Sequence, residues 1–337
     1  MRFFLLFSCF LILFSCLNKD VQNHKPEEVK DYRTEISLLS TKLLENPNDT
    51  FLLNKRIDLF LMYENLEGAL LDQQHLYKLD SNNYQYLSDL ASTYFQLGEK
   101  GRASYYIKAL NILNRDIVNL KSDISNLTIR YKLFYIFQRY KESIKDINTV
   151  LKQNKYLAEA YFYKGMNYKE IGDTTMAISQ FQTVTEQDPQ YSDAYEQLAF
   201  IYEAQNNNIA ELYYDNALSV DSTNISLWYN KGMYLQNISR YDDAKKCYLT
   251  ILRFDPRHLS NYNLGYIALL QEEYLDGANY FSEYIYNNNQ VAMAYFARGL
   301  CFKSLKQTKK ARFDFMKALE LDPSLYIVQD ELSNLEI

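Results

Sequence analysis

Residues 158–189 read AEAYFYKGMNYKEIGDTTMAISQFQTVTEQDP, and the spacing of a few residue classes inside them decides the fold. Tyr161 precedes Gly165 by four residues, Ala177 precedes Phe181 by four, and Pro189 closes the stretch. The same order returns as Trp228, Gly232, Ala244, Tyr248 and Pro256, and again as Tyr295, Gly299, Ala311, Phe315 and Pro323. The prolines Pro47, Pro189, Pro256 and Pro323 are separated by 142, 67 and 67 residues, close to four, two and two periods of 34. A fixed period of this size marks stacked supersecondary units, each too small to bury its own apolar face.

Placing each proline, or its equivalent, at position 32 gives eight repeats, beginning at Thr50, Tyr84, Ile124, Ala158, Ser192, Ile225, His258 and Ala292. Position 8 carries Ala91, Gly165, Ala199, Gly232, Gly265 and Gly299, and position 20 carries Ala69, Ala103, Ala177, Ala244, Gly277 and Ala311. Position 24 carries Ile107, Phe181, Tyr248, Phe281 and Phe315; a one-residue deletion near Asn206 puts Ala210 and Tyr214 in the same two roles. A glycine inside a helix costs about 1 kcal/mol against alanine, so four at one repeat position imply a close approach between two helices. Proline at 32 ends the second helix. Gly98 and Gly172, at position 15, fall in the turn.

This order of large, small, small, aromatic and proline resembles the tetratricopeptide repeat (TPR) family. The resemblance implies an all-α TPR α-solenoid, a right-handed superhelix of helix-turn-helix repeats whose first helices (A) line a concave wall that holds partner segments. It covers two repeats in 50–117, an insertion at 118–123 expected to form an extended helix or a bend, and six repeats in 124–325. A capping helix is expected in 28–49, where Ile36, Leu39, Leu43 and Leu44 precede Asn46-Pro47, and another in 326–337.

The chain opens with Arg2 and an apolar run from Phe3 to Phe14, the length of an export signal and too short for the ~20 residues of a membrane span. Leu13-Phe14-Ser15-Cys16 resembles a bacterial lipobox, which implies a signal peptide at 1–15, Cys16 as the lipid attachment site, and a tether at 16–27. A diacylglycerol with an N-acyl chain such as palmitate exceeds the two-signal threshold for stable anchoring. An ordinary secretory signal cleaved near Ser15 is the alternative. By resemblance to NlpI-like adaptors and pilotin-type lipoproteins, the expected location is the bacterial outer membrane, lipid-anchored on its periplasmic face. Lys19-Asp20 leaves surface export open.

A formal net charge of −6 with no long basic run argues against nucleic acid as the partner. Cys247 and Cys301 fall two repeats apart, so two buried thiols are expected rather than a disulfide. Neither His24, His75 nor His258 has companions at metal-ligand spacing, and no phosphate-binding or nucleophile motif is present. No enzymatic activity, cofactor or metal is expected.

Function is expected at positions 5 and 9 of helix A. From the fourth repeat onward these read Phe162, Glu196, Tyr229, Tyr262 and Phe296, then Met166, Phe200, Met233, Tyr266 and Leu300. The nine apolar members form a stripe suited to an extended or helical segment of another envelope protein. In the first two repeats the same positions are Asn54, Asp58, Ser88 and Ser92. No repeat has the Lys and Asn pair with which chaperone-binding members clamp a C-terminal carboxylate. The alternative is a structural lipoprotein, a homo-oligomer or one whose groove is already filled.

Overall fold

The computed structural model describes residues 32–115 and 123–335; Cys16, the segments 1–15 and 16–27, and residues 118–122 of the insertion lie outside these. Among the described residues there are eighteen helices and no strand. The chain divides into two compact bodies, Met1–Leu133 and Phe134–Ile337.

In the first body a helix at Tyr32–Glu45 is followed by the pairs Thr50–Met62 with Leu66–Leu79 and Tyr84–Glu99 with Ser104–Arg115, each helix packing on the next. Tyr32–Glu45 sits where the second helix (B) of a preceding repeat belongs. Arg56 of repeat 1 explains how it is held: its guanidinium grips both Asp72 oxygens at 2.7 Å, and its third nitrogen donates to Ser40 Oγ at 2.8 Å. Three helices are thereby pinned at one point.

Ile124–Ile136, the first helix of repeat 3, contains the division point, and the second body runs on from Tyr140–Gln153 through the pairs Ala158–Ile171 with Thr174–Gln187, Ser192–Ala204 with Ile209–Val220, and Ile225–Asn237 with Tyr241–Phe254. Ser260–Leu270 with Tyr274–Asn287 and Ala292–Ser304 with Thr308–Leu321 follow, and Tyr326–Asn334 ends the series in the place of a further helix A. Arg298 repeats the clamp, bonding Asp314 at 2.8 and 2.7 Å and Ser282 at 3.1 Å. The Asp314 side chain is 1% exposed. Removing one partner of such a buried pair costs about 3–5 kcal/mol, because a charge is left in a dry site.

Each repeat closes its first helix in the same way. Position 15 is left-handed at Glu64, Gln138, Gly172, Asn206, Ser239, Glu272 and Lys306, with φ between 53° and 88°. The next residue's N–H then returns to the carbonyl five residues back, as from Arg240 to Leu235 at 2.8 Å and Gln307 to Phe302 at 2.8 Å. This is the Schellman closure of a helix C-terminus, which glycine usually supplies because other residues bear a steric cost there.

Repeat 2 departs from its expected register. Its first helix continues through Gly98 to Glu99, and the left-handed residue is Gly101, three positions later. Ala103 and Ile107 are consequently exposed, and Leu110 takes the buried place expected of position 24. Gly98 is not a turn glycine: a Cβ there would lie 2.4 Å from the Tyr106 ring. Repeat 7 also starts late, at Ser260 rather than His258, because the His258 ring accepts the Ser260 N–H at 3.1 Å and so stands outside the helix.

At position 24, Phe181, Tyr214, Tyr248, Phe281 and Phe315 have no exposed surface, and Ala177, Ala210, Ala244 and Ala311 at position 20 are equally buried. The glycines at position 8 make room for those rings rather than for a neighbouring backbone. A Cβ on Gly232 would meet Tyr248 at 2.7 Å, and one on Gly299 would meet Phe315 at 2.5 Å. Backbone approach occurs instead at Gly277, whose Cβ position lies 3.4 Å from the Gly265 carbonyl. Cys247 and Cys301 are free thiols, and burial pushes them up to about 11 and about 12.

Candidate protein-binding groove

The stripe residues of the second body do two jobs at once. Phe162 packs 5.6 Å from Phe181, Phe200 6.1 Å from Tyr214, Tyr229 6.0 Å from Tyr248, Tyr262 5.6 Å from Phe281, and Phe296 5.8 Å from Phe315. Each ring thus leans on the position-24 ring of its own repeat, which fixes its orientation without burying it fully. Phe296 is the exception. At 6% exposure it sinks into the cluster with Phe315 and Val328 and offers almost no surface. Tyr266 is the opposite extreme, 42% exposed. Met166 and Leu300 are half-buried against neighbouring clusters.

Two clefts open along this wall. The larger, about 530 Å³, is lined by Tyr229, Met233, Gln236, Leu259, Tyr262, Asn263, Tyr266 and Tyr284. The smaller, about 290 Å³, is lined by Phe200, Glu203, Ala204, Tyr214, Asn230 and Met233. Met233 belongs to both, so they form one run across repeats 5 to 7. Five of the nine stripe residues line it; Phe162, Met166, Phe296 and Leu300 do not.

The polar atoms in this run were not evident from the stripe alone. Asn263, buried, donates to Tyr248 Oη at 2.9 Å and to Met233 Sδ at 3.1 Å, and so seats the methionine shared by the two clefts. Asn230 donates to Glu196 Oε1 at 3.1 Å, and the Tyr214 hydroxyl donates to Glu203 Oε2 at 2.6 Å. The signal for the two asparagines was present in the sequence, since both occupy position 6 of successive helices A. Burial is the main cause that raises the Glu196 carboxyl above its ordinary range, and the Tyr262 hydroxyl is raised chiefly by burial too. His258, whose ring is 5.5 Å from that of Tyr229, is held below its ordinary value by burial.

In the first body two of the corresponding positions donate hydrogen bonds. Asn54 donates to the Thr50 carbonyl at 2.7 Å, and Ser88 donates to Asn126 at 3.0 Å. Among the described residues no group of His, Cys, Asp or Glu is arranged to hold a metal ion, and no helix is long and apolar enough to cross a membrane.

Sequence patterns of the tetratricopeptide repeat match residues 158–191, 225–258 and 292–325. The chain carries tetratricopeptide repeats in an all-α TPR fold. Similar TPR architectures occur in the C-terminal part of a repeat protein from Cytophaga hutchinsonii and in a repeat protein from Parabacteroides merdae. The first is 18% identical with a TM-score of 0.64, over 73% of this chain and 99% of that one. The second is 15% identical with a TM-score of 0.51, over 85% and 98%. These likenesses concern the fold.

In sequence, the chain is 27% identical over 150 residues to the type IV pilus assembly protein PilF of Pseudomonas aeruginosa. That match takes in 43% of this TPR chain and 60% of PilF. A further match, 25% identical over 122 residues, is to an N-terminal acetyltransferase A complex subunit-like protein of Schizosaccharomyces pombe, of which it spans 18%. TPR proteins are mostly scaffolds that bind peptides or other proteins, rather than catalysts.

Proposed function

We propose that this TPR protein is a membrane-anchored scaffold of the bacterial cell envelope, lipidated at Cys16, that captures segments of partner proteins in the groove of repeats 5 to 7. The observation that carries the reading is the continuity of the two clefts through Met233, with Tyr229, Tyr262 and Tyr266 lining the larger one. Each large apolar side chain a partner buries there contributes about 1.5–3 kcal/mol before ordering costs. The likeness to PilF, a pilus assembly protein, supports an envelope role, and the lipobox-like Leu13–Cys16 supports the lipid anchor. The protein acts by binding and brings no chemistry of its own.

Photocrosslinking in cells from position 229, followed by mass spectrometry, tests the groove. A discrete partner, lost when the crosslinker moves to Lys245 on helix B and lost again in Tyr266→Ala, is expected. Self-crosslinks alone would replace the scaffold with a self-associating structural protein. Metabolic labelling with an alkyne fatty acid tests the anchor: incorporation should vanish in Cys16→Ala, and unchanged labelling would remove Cys16 from the account.

A further inference from the structure

Resting on that reading, we infer that the captured segment joins an apolar or aromatic anchor to basic side chains, the anchor seated in the Tyr229–Tyr262 cleft and the bases set against Glu196 and Glu203.

The larger cleft has no charged group in its lining. One repeat away along the same wall the lining becomes negatively charged. Glu203 lines the adjoining cleft, Glu196 is bonded to Asn230 in that lining, and Asp193 precedes them on the same helix. Glu203 receives a neutral hydroxyl and Glu196 a neutral amide, and neither forms an ion pair among the described residues. Lys231 pairs with Asp215, Arg240 with Glu211 and Asp243, and Lys245 with Glu273. Lys169 acts on the Glu196 charge through space, but its ammonium donates to Gln197 at 2.7 Å and forms no bond to the carboxylate.

A carboxylate left with neutral partners in a half-dry cleft gains most from an arriving guanidinium or ammonium, because charge-assisted hydrogen bonds strengthen as water is displaced. It equally repels an acidic segment, which gives discrimination as well as affinity. Packed helices lie roughly 8–10 Å apart and an extended chain advances ~3.3 Å per residue, so basic residues facing repeat 5, one to two such spacings from an anchor in repeats 6 and 7, fall about two to six positions from it.

The test is selection of a phage-displayed library of random linear peptides on the full chain, followed by titration of a synthetic winner. Enrichment of an aromatic or aliphatic residue with Lys or Arg at that spacing is expected. Binding should be about tenfold weaker to the E196Q/E203Q variant, which is the loss of one hydrogen bond to a charged group, and should fall with added salt. Circular dichroism melting of the variant confirms that it folds, and E203Q alone serves if the double variant does not. Winners without basic enrichment that ignore E196Q/E203Q but are lost in Tyr266→Ala overturn this inference and leave the groove standing. Winners indifferent to all three substitutions, or no winners, overturn both.

Discussion

The two bodies share a repeat frame and differ in what they hang on it. Positions 5 and 9 of helix A are Asn54, Asp58, Ser88 and Ser92 in the first body, two of them bonded to groups close by; in repeats 5 to 7 of the second they are mostly rings and a methionine that line open clefts. The cores diverge as well. Position 24 of repeat 1 is Gln73, buried with its Oε1 unpaired, where the second body has aromatic rings laid over glycine. A repeat thus separates into sites that build the stack and sites free to vary, and only the second body spends the free ones on an apolar surface.

The comparison is most severely tested by the aromatic core. Phe315→Ala removes a fully buried ring and should cost about 3–5 kcal/mol in denaturant unfolding of the second body. A loss under ~1 kcal/mol would mean that the rings do not carry the stack. Next are the two clamps, which the bodies share. Arg56→Ala and Arg298→Ala should each destabilise by about 3 kcal/mol, and a response from only one would break the equivalence of the two ends. Smaller, and opposite in sign, is relief of the left-handed turns. Glu64→Gly in the first body and Glu272→Gly in the second should each stabilise by about 1 kcal/mol, seen as a rise in Tm.

The smallest effect is confined to the second body. His258 sits below its ordinary value of 6.5, so between those two points the unfolded chain holds a proton that the folded chain lacks. Stability should therefore decline as pH falls through about 6.5 and level off once the folded ring also protonates. His258→Asn should flatten that slope; a wild-type slope retained in the variant would assign it to another group.

The repeat was legible because positions 8, 20, 24 and 32 answer to packing and backbone geometry, which act alike in every copy. Tyr214 and Ala210 kept their roles through a one-residue deletion for that reason. The second repeat misled because Gly98 satisfies two explanations equally well on paper, a turn or a space for Tyr106, and only the neighbouring ring decides. The stripe located Tyr229, Met233, Tyr262, Tyr266 and Phe200 on the cleft walls, but the depth of Phe296 depends on Val328, supplied by the helix that follows the last repeat. Tyr284 and Glu203 escaped notice because a residue's share in a cleft depends on its spatial neighbours, not on its own repeat.

The paired arginine clamps bear on how such a stack comes apart. An array held only by contacts between neighbours behaves as a zipper, whose terminal teeth have one neighbour fewer and open first. Here the first and last repeats each carry a bidentate arginine spanning three helices, at Ser40–Arg56–Asp72 and Ser282–Arg298–Asp314. Fraying is thus checked at the first repeat of the first body and at the last repeat of the second, where an outer helix is otherwise most exposed to proteases.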